Sequence, residues 1–353
     1  MKHLVIDKTE IAGNLQIVRE AAGKAEIYAD LSGDAYGLGL LETAKLLRDS
    51  GVRSFAVSDP KDAHALRQAG FMEERIMMLR STADSDELEE LIDLNVICTA
   101  GSYDAAVAIN GLAEARHTVC EVQVKIDVGL GRYGFTPQEL DKVASIYRYM
   151  SNLAVVGVFS TFSDSTKKKQ TLAEYDTFLN VLDRLVAQGY ETGTRHICDS
   201  VALFRYGMDP LDAVRVGPAL SGRVQDKNAP GIRKVGYIEA AIEEVGWYPR
   251  GHQIGRRVTL RQAARLAVLS VGYYHGFGVD RQDLESGILD LLRRRRSQKF
   301  VKIGGKRARV LGTIGMMHTI VDVTDVPCAV GDPAILDVDP VCVKGLPRVY
   351  KHV

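Results

Sequence analysis

The alternation of strand-like and helical segments between residue 26 and about residue 225 constrains the fold most. Short β-rich runs occupy Glu26–Leu31, Arg53–Ser58, Arg75–Arg80, Asn95–Thr99, Glu121–Val128, Leu153–Ser160, Thr194–Asp199 and Ala213–Gly217. Helical patterns lie between them, among them Pro60–Ala69, Asp84–Ile92, Pro137–Met150 and Gln170–Gln188. Most of the runs are apolar almost throughout, as strands covered on both faces are. Eight strand–helix units predict an α/β fold, a (β/α)8 TIM barrel. A doubly wound open sheet is the rival, but no G-x-G-x-x-G follows the first run.

Near residue 230 the texture changes. From Tyr237 onward the chain is rich in valine, glycine and turn residues, with strand candidates at Arg265–Val271, Ala308–Ile314, Ile320–Val323, Ala334–Val338 and Val341–Val343. This reads as an all-β domain. The expected division is a barrel over residues 1–230 and a β-domain over 231–353, with Asp226–Gly231 as linker. Gln282 to Ser297 has a helical period and ends in Arg293-Arg294-Arg295-Arg296. Those arginines read as the basic C-terminus of a solvated helix, or as a patch for phosphate or a partner.

Composition narrows the function classes. Forty-five basic and forty-five acidic residues cancel, so no global field favours nucleic acid or a membrane. The start Met1-Lys2-His3-Leu4-Val5 is not a signal peptide and no apolar run is long enough to span a bilayer, so the cytoplasm is the default location. The five cysteines are scattered and lack CxxC spacing, which favours buried free thiols over disulfides or a metal site.

The stretch Ala29-Asp30-Leu31-Ser32-Gly33-Asp34-Ala35-Tyr36-Gly37-Leu38-Gly39 closes the first barrel strand and precedes a helix predicted from Leu40. Strand end, small-residue turn and helix is the arrangement on which barrels place chemistry. The stretch resembles the cofactor-lysine segment of the alanine racemase family, A-V-V-K-A-N-A-Y-G-H-G. Further motifs follow in the family's order. Lys125-Ile126-Asp127-Val128-Gly129-Leu130-Gly131-Arg132-Tyr133-Gly134-Phe135 resembles K-x-D-T-G-M-x-R-L-G-F. His196 to Ser200 resembles H-x-x-N-S, and Val214 to Gly222 resembles V-R-P-G-I-A-L-Y-G. Gly272 to Gly276 resembles G-Y-x-D-G, Met316 to Val323 resembles M-D-Q-T-M-V-D-V, and Pro347 to Tyr350 resembles P-R-x-Y.

The resemblance implies a fold-type III pyridoxal 5'-phosphate (PLP) enzyme and a head-to-tail homodimer. It implies phosphate contacts at Tyr36, Ser200, the Gly217 loop and Tyr350, and a pyridine nitrogen facing Arg215, itself held by His196. It places Arg132, oriented by Lys125, and the Met316–Met317 loop at the substrate carboxylate. It gives Tyr273 as one of two proton-transfer groups. Plainer readings remain: Tyr36 and Tyr350 as packing tyrosines, Arg132 as a helix cap.

The other proton-transfer group is the lysine, and there this chain has Ser32. Serine forms no Schiff base and is a poor acid or base. Thr161 stands at the family's supporting histidine, Met317 and His275 at two aspartates, and Ser221 at a tyrosine. His275 and His318 read either as new site residues or as surface histidines. The expectation is a racemase-like protein without Schiff-base racemisation that binds a phosphate- or carboxylate-bearing ligand, with PLP non-covalent if it binds at all. The alternatives are a divergent enzyme acting on an amino-acid-like substrate, a residual amino-acid racemase, and a regulatory subunit paired in a heterodimer with a lysine-bearing paralogue.

Overall fold

In the computed structural model, residues 1–224, 229, 231–255, 258–279 and 299–352 are described. The chain divides into two compact units, Glu10–Lys234 and Met1–Thr9 with Val235–Val353. The basic run Arg293–Arg296 and most of the linker Asp226–Gly231 lie outside the described residues.

The first strand of the chain, β1 (Lys2–Asp7), belongs to the second unit. In the first unit, all eight sequence runs become strands: β2 (Glu26–Asp30), β3 (Ser54–Val57), β4 (Arg75–Met78), β5 (Cys98–Ala100), β6 (Cys120–Lys125), β7 (Leu153–Phe159), β8 (Thr194–His196) and β9 (Ala213–Val216). They pair in parallel in sequence order. Two single bridges, Met77 with Ile97 and Asp199 with Arg215, join the two four-stranded runs, and β9 pairs with β2. The result is a closed (β/α)8 barrel. The helices Pro60–Gln68 and Leu140–Tyr149 fall within the predicted patterns, while Ser85–Asp93 runs one residue past its pattern and Lys168–Ala187 starts two residues before its own.

Each helix in this unit buries one stripe. Ser85–Asp93 starts at Asp84, whose Oδ1 accepts from Glu87 N at 3.0 Å, and buries Leu88 and Leu91. Between the strands, Tyr28, Met77, Ile97, Phe159 and Ala213 form a buried cluster. Each of the larger side chains contributes roughly 1.5–3 kcal/mol through burial.

The second unit is built on one eight-stranded sheet. The remaining strands are β10 (Tyr237–Tyr248), β11 (Gln253–Ile254), β12 (Val258–Thr259), β13 (Ala264–Leu269), β14 (Phe300–Ile303), β15 (Lys306–Leu311), β16 (Thr319–Asp322), β17 (Pro333–Asp337) and β18 (Arg348–Lys351). The sheet order is β13-β16-β15-β14-β17-β10-β1-β18, with a further β13–β10 pairing. Four of the five predicted strands are present. The fifth, Val341–Val343, is instead part of a 3-10 turn over Pro340–Cys342. Pro340 has no N–H for a ladder, and Asp339 Oδ1 accepts from Val341 N at 3.4 Å, which starts the turn.

All five cysteines are free; Cys98, Cys120 and Cys198 are buried. No described helix is long and apolar enough to cross a membrane.

Candidate active site

The C-terminal ends of the barrel strands surround a cavity of about 500 Å³. Seven of the expected site residues line it: Ser32, Tyr36, Lys125 and Arg132 on one part of the wall, Ser200, Arg215 and Gly217 on another. His196 lies behind them, fully buried. The other four expected residues, Tyr273, Met316, Met317 and Tyr350, belong to the β-rich unit. There the Tyr273 and Met316 loops meet: Tyr273 N donates to Gly315 O at 2.9 Å and Tyr274 N to Met316 O at 3.1 Å. Tyr273 and Met316 are exposed. Tyr350 lies on β18, with Lys8 Nζ 5.1 Å from its ring centre.

Ser32 follows β2 directly. Its Oγ lies 2.7 Å from Ser58 Oγ, just past β3, and its N–H donates to Asp30 Oδ1 at 2.9 Å. The turn after it is left-handed: Gly33, Asp34, Ala35 and Tyr36 have φ of 64°, 60°, 54° and 55°. Three of these are not glycine, and each costs about 1–2 kcal/mol in that conformation. The turn is closed by Ala35 N donating to Leu31 O and Gly37 N to Gly33 O, and Asp34 Oδ1 accepts from Leu40 N at 2.7 Å. Strain held by such a network is a mark of functional turns. It aims Tyr36 at Gly217, where a Cβ would come within 2.1 Å of the Tyr36 ring.

Tyr36 Oη donates to Asp30 Oδ2 at 2.9 Å. On the other side of β9, Asp199 caps the helix Ser200–Tyr206, its Oδ1 accepting from Val201 N at 2.9 Å and Ala202 N at 2.8 Å. Both carboxylates line the cavity. The segment A-V-V-K has valine at the position of Asp30, and H-x-x-N-S has asparagine at Asp199. Both positions thus depart from the family residue, a departure that assigns neither one a role until its contacts are seen.

Arg215 is buried and anchored. Its Nη1 donates to His196 Nδ1 at 2.7 Å, and its Nη2 to Ser160 O at 2.6 Å and Thr161 Oγ1 at 3.0 Å. Arginine has no acceptor, so Nδ1 of His196 is bare and Nε2 carries the proton, given to Gln123 Oε1 at 2.7 Å. Gln123 Nε2 then donates to Tyr28 Oη at 3.2 Å. The imidazole is stacked between Tyr28 and Phe159, at centroid distances of 5.2 and 5.3 Å. Burial, followed by the Arg215 charge, holds its pKa well below the usual histidine value, keeping it a neutral acceptor. Burial also lowers the pKa of Arg215, opposed by Asp30 and Asp199. Tyr28 and Gln123 complete this chain and have no motif signature of their own.

Lys125 ends β6 with Nζ 5.5 Å from the Phe159 ring centre and 5.8 Å from that of Tyr133. Burial first, then Arg215 and Arg132, push its pKa down to about 8. Among the described residues neither Lys125 nor Arg132 is in a salt bridge, whereas Arg80 on the same wall pairs with Glu87 at 2.8 Å. Lys125 and Arg132 thus offer charge to an anion. Of the two histidines left open by the sequence, His275 is buried, its Nδ1 accepting from Gly272 N at 3.2 Å, which places it in the support of the Tyr273 turn. His318 is exposed, 4.0 Å from Glu243.

A closed parallel barrel with a cavity at its strand ends, and a second, β-rich unit, place the chain in a class of two-domain TIM-barrel proteins. The alanine racemase N-terminal domain family matches residues 6–224 and the C-terminal domain family matches residues 235–340. The chain belongs to the alanine racemase family. It is similar to alanine racemase of Methylacidiphilum infernorum, 31% identical over 341 residues, covering 94% of this chain and 82% of that relative. The structure of alanine racemase from D-cycloserine-producing Streptomyces lavendulae superposes with a TM-score of 0.86 at 23% identity, covering 100% of this chain and 97% of that one. That of alanine racemase from Bartonella henselae, described with covalently bound pyridoxal phosphate, superposes with a TM-score of 0.81 at 20% identity, covering 99% of both chains.

Proposed function

We propose that this chain is an alanine-racemase-family protein that does not racemise through a lysine imine, and that its cavity binds a small amino-acid-like ligand bearing a carboxylate or phosphate. The observation that carries this reading is the contact of Ser32 Oγ with Ser58 Oγ at 2.7 Å. Two hydroxyls meet where the family segment has its amine. Neither forms an imine, and neither has the basicity to take a proton from a Cα. PLP in its covalent form therefore does not fit this wall, and no catalytic step is routed through it. Lys125 and Arg132 serve as the carboxylate partners. Tyr273 is the acid or base that remains, and a cytoplasmic setting belongs to the same reading.

A second reading, a new reaction on an amino-acid-like substrate, draws on Thr161. Its hydroxyl accepts from Arg215 at 3.0 Å, so this replaced position is wired into the site.

The test is a visible spectrum of the purified protein, desalted after PLP addition, with and without borohydride, run beside an L/D-alanine exchange assay. The expected result is no exchange and no band fixed to the protein. Appreciable exchange by the pure protein overturns the proposal.

A further inference from the structure

We propose that the cavity wall expected to meet a phosphate is an ammonium subsite, and that the ligand is an elongated zwitterion of the ω-amino carboxylate class, such as lysine or ornithine. The inference rests on the reading above and names its ligand.

The barrel's strand order separates two kinds of charge. β2, β9 and β8 are neighbours and carry Asp30, Arg215 and Asp199 at or just past their ends. The Tyr28–Arg215 and Asp199–Arg215 pairings put one carboxylate on either side of the β9 end. Across the ring, β4 and β6 flank β5 and lead into Arg80, Lys125 and Arg132. The cavity therefore has an acidic arc centred on β9 and a basic arc opposite, with a volume of about 500 Å³ between them.

The acidic arc is poorly equipped for a phosphate dianion. Such a site needs donors that are not already given away and no fixed negative charge. Here the single Tyr36 proton goes to Asp30, and the Val201 and Ala202 N–H groups go to Asp199. The one cation of the arc among the described residues, Arg215, directs Nη1 and Nη2 to His196, Ser160 and Thr161. Two carboxylates against one arginine leave net negative charge, and neither carboxylate is in a salt bridge among the described residues. An ammonium group restores the balance. Its carboxylate partner lies across the cavity, on Lys125 and Arg132.

The test is calorimetric titration of the full-length protein in phosphate-free buffer. The probes are L- and D-lysine, alanine, pentylamine, hexanoate, inorganic phosphate and PLP. Lysine of one hand is expected to bind at least about tenfold tighter than alanine, pentylamine or hexanoate, about 1.4 kcal/mol. Asp30→Asn and Asp199→Asn keep the shape and the acceptor oxygen, and asparagine remains a good N-cap. Each is expected to weaken lysine about tenfold and to strengthen phosphate about tenfold. The inference is overturned if hexanoate matches lysine, or if the wild-type protein holds phosphate or PLP with an affinity that neither substitution changes. A circular dichroism melt shows that each variant is folded; should one fail, the other still decides. Alanine exchange by the wild-type protein would sink the parent reading. Tight PLP binding without exchange, unchanged in both variants, would sink only this one.

Discussion

Lys125 shows how a single side chain can be held against its own preference. Its pKa, lowered from 10.5 to about 8 by burial and by two neighbouring guanidinium groups, lies below the unfolded value. Between those two limits the unfolded chain binds the proton more tightly, so stability rises with pH across that window. Below about pH 8 the buried charge lowers stability by an amount on the order of 3 kcal/mol. Lys125→Met should therefore melt at a higher temperature than wild type at pH 7, and the difference should shrink as the pH climbs toward 10.5. Parallel thermal melts across pH measure it. A pH-independent difference would mean that the charge is already compensated. The same scale shows why the sequence reading was incomplete. Ser32 was legible because a motif has one conspicuous residue there. Asp30 was not, because a carboxylate at a strand end reads as ordinary surface until Tyr36 is seen donating to it. Gln123 was hidden more deeply, since an uncharged amide in an apolar strand carries no signal until its partners are known.

At the scale of elements, the left-handed turn and the Gly217 loop act as one device. The turn pushes the Tyr36 ring into the space a Cβ at residue 217 would fill. Gly217→Ala forces the ring or the loop to move, at a cost of about 1–3 kcal/mol by overpacking. Its melting temperature should fall, and the titration with lysine should weaken with it, because Tyr36 and Asp30 would lose their register. A variant with unchanged melting and binding would show that the loop yields freely. The barrel strands were legible because parallel strands covered on both faces are near-continuous apolar runs. β10 was not, although at 12 residues it is the longest strand among the described residues. Its Ile238, Ala240 and Ile242 alternate inward, but the alanines and glutamates between them have helical propensity. Neighbouring strands overrode that local preference.

For the whole molecule, the scale that matters is the assembly. Tyr273 and Met316 are exposed on the β-rich unit. The resemblance to the family implies a head-to-tail dimer in which each site takes its tyrosine from the other chain. Purified alone, this protein should run as a dimer in native mass spectrometry. Mixed with a lysine-bearing paralogue, it should form heterodimers with one working site in two, and about half the specific activity of the paralogue homodimer. A protein that stays monomeric, or never exchanges chains with such a paralogue, would leave the pairing without support.

The division of the chain was legible only in part, because β1 pairs with strands from the other end of the sequence: Leu4 with Ile238 and with Arg348. No local pattern announces a partner more than two hundred residues away. That pairing has a consequence for synthesis. The barrel residues leave the ribosome in one uninterrupted run and can close upon themselves while translation continues. Residues 2–7 emerge before the barrel, yet their sheet does not exist until β10 appears, and their outer neighbour β18 arrives later still. For most of translation this apolar strand, with Leu4, Val5 and Ile6 destined for burial, is an unclaimed edge. Until β10 and β18 are made this strand stays unpaired, so its capture is a late, long-range step of the kind that slows folding.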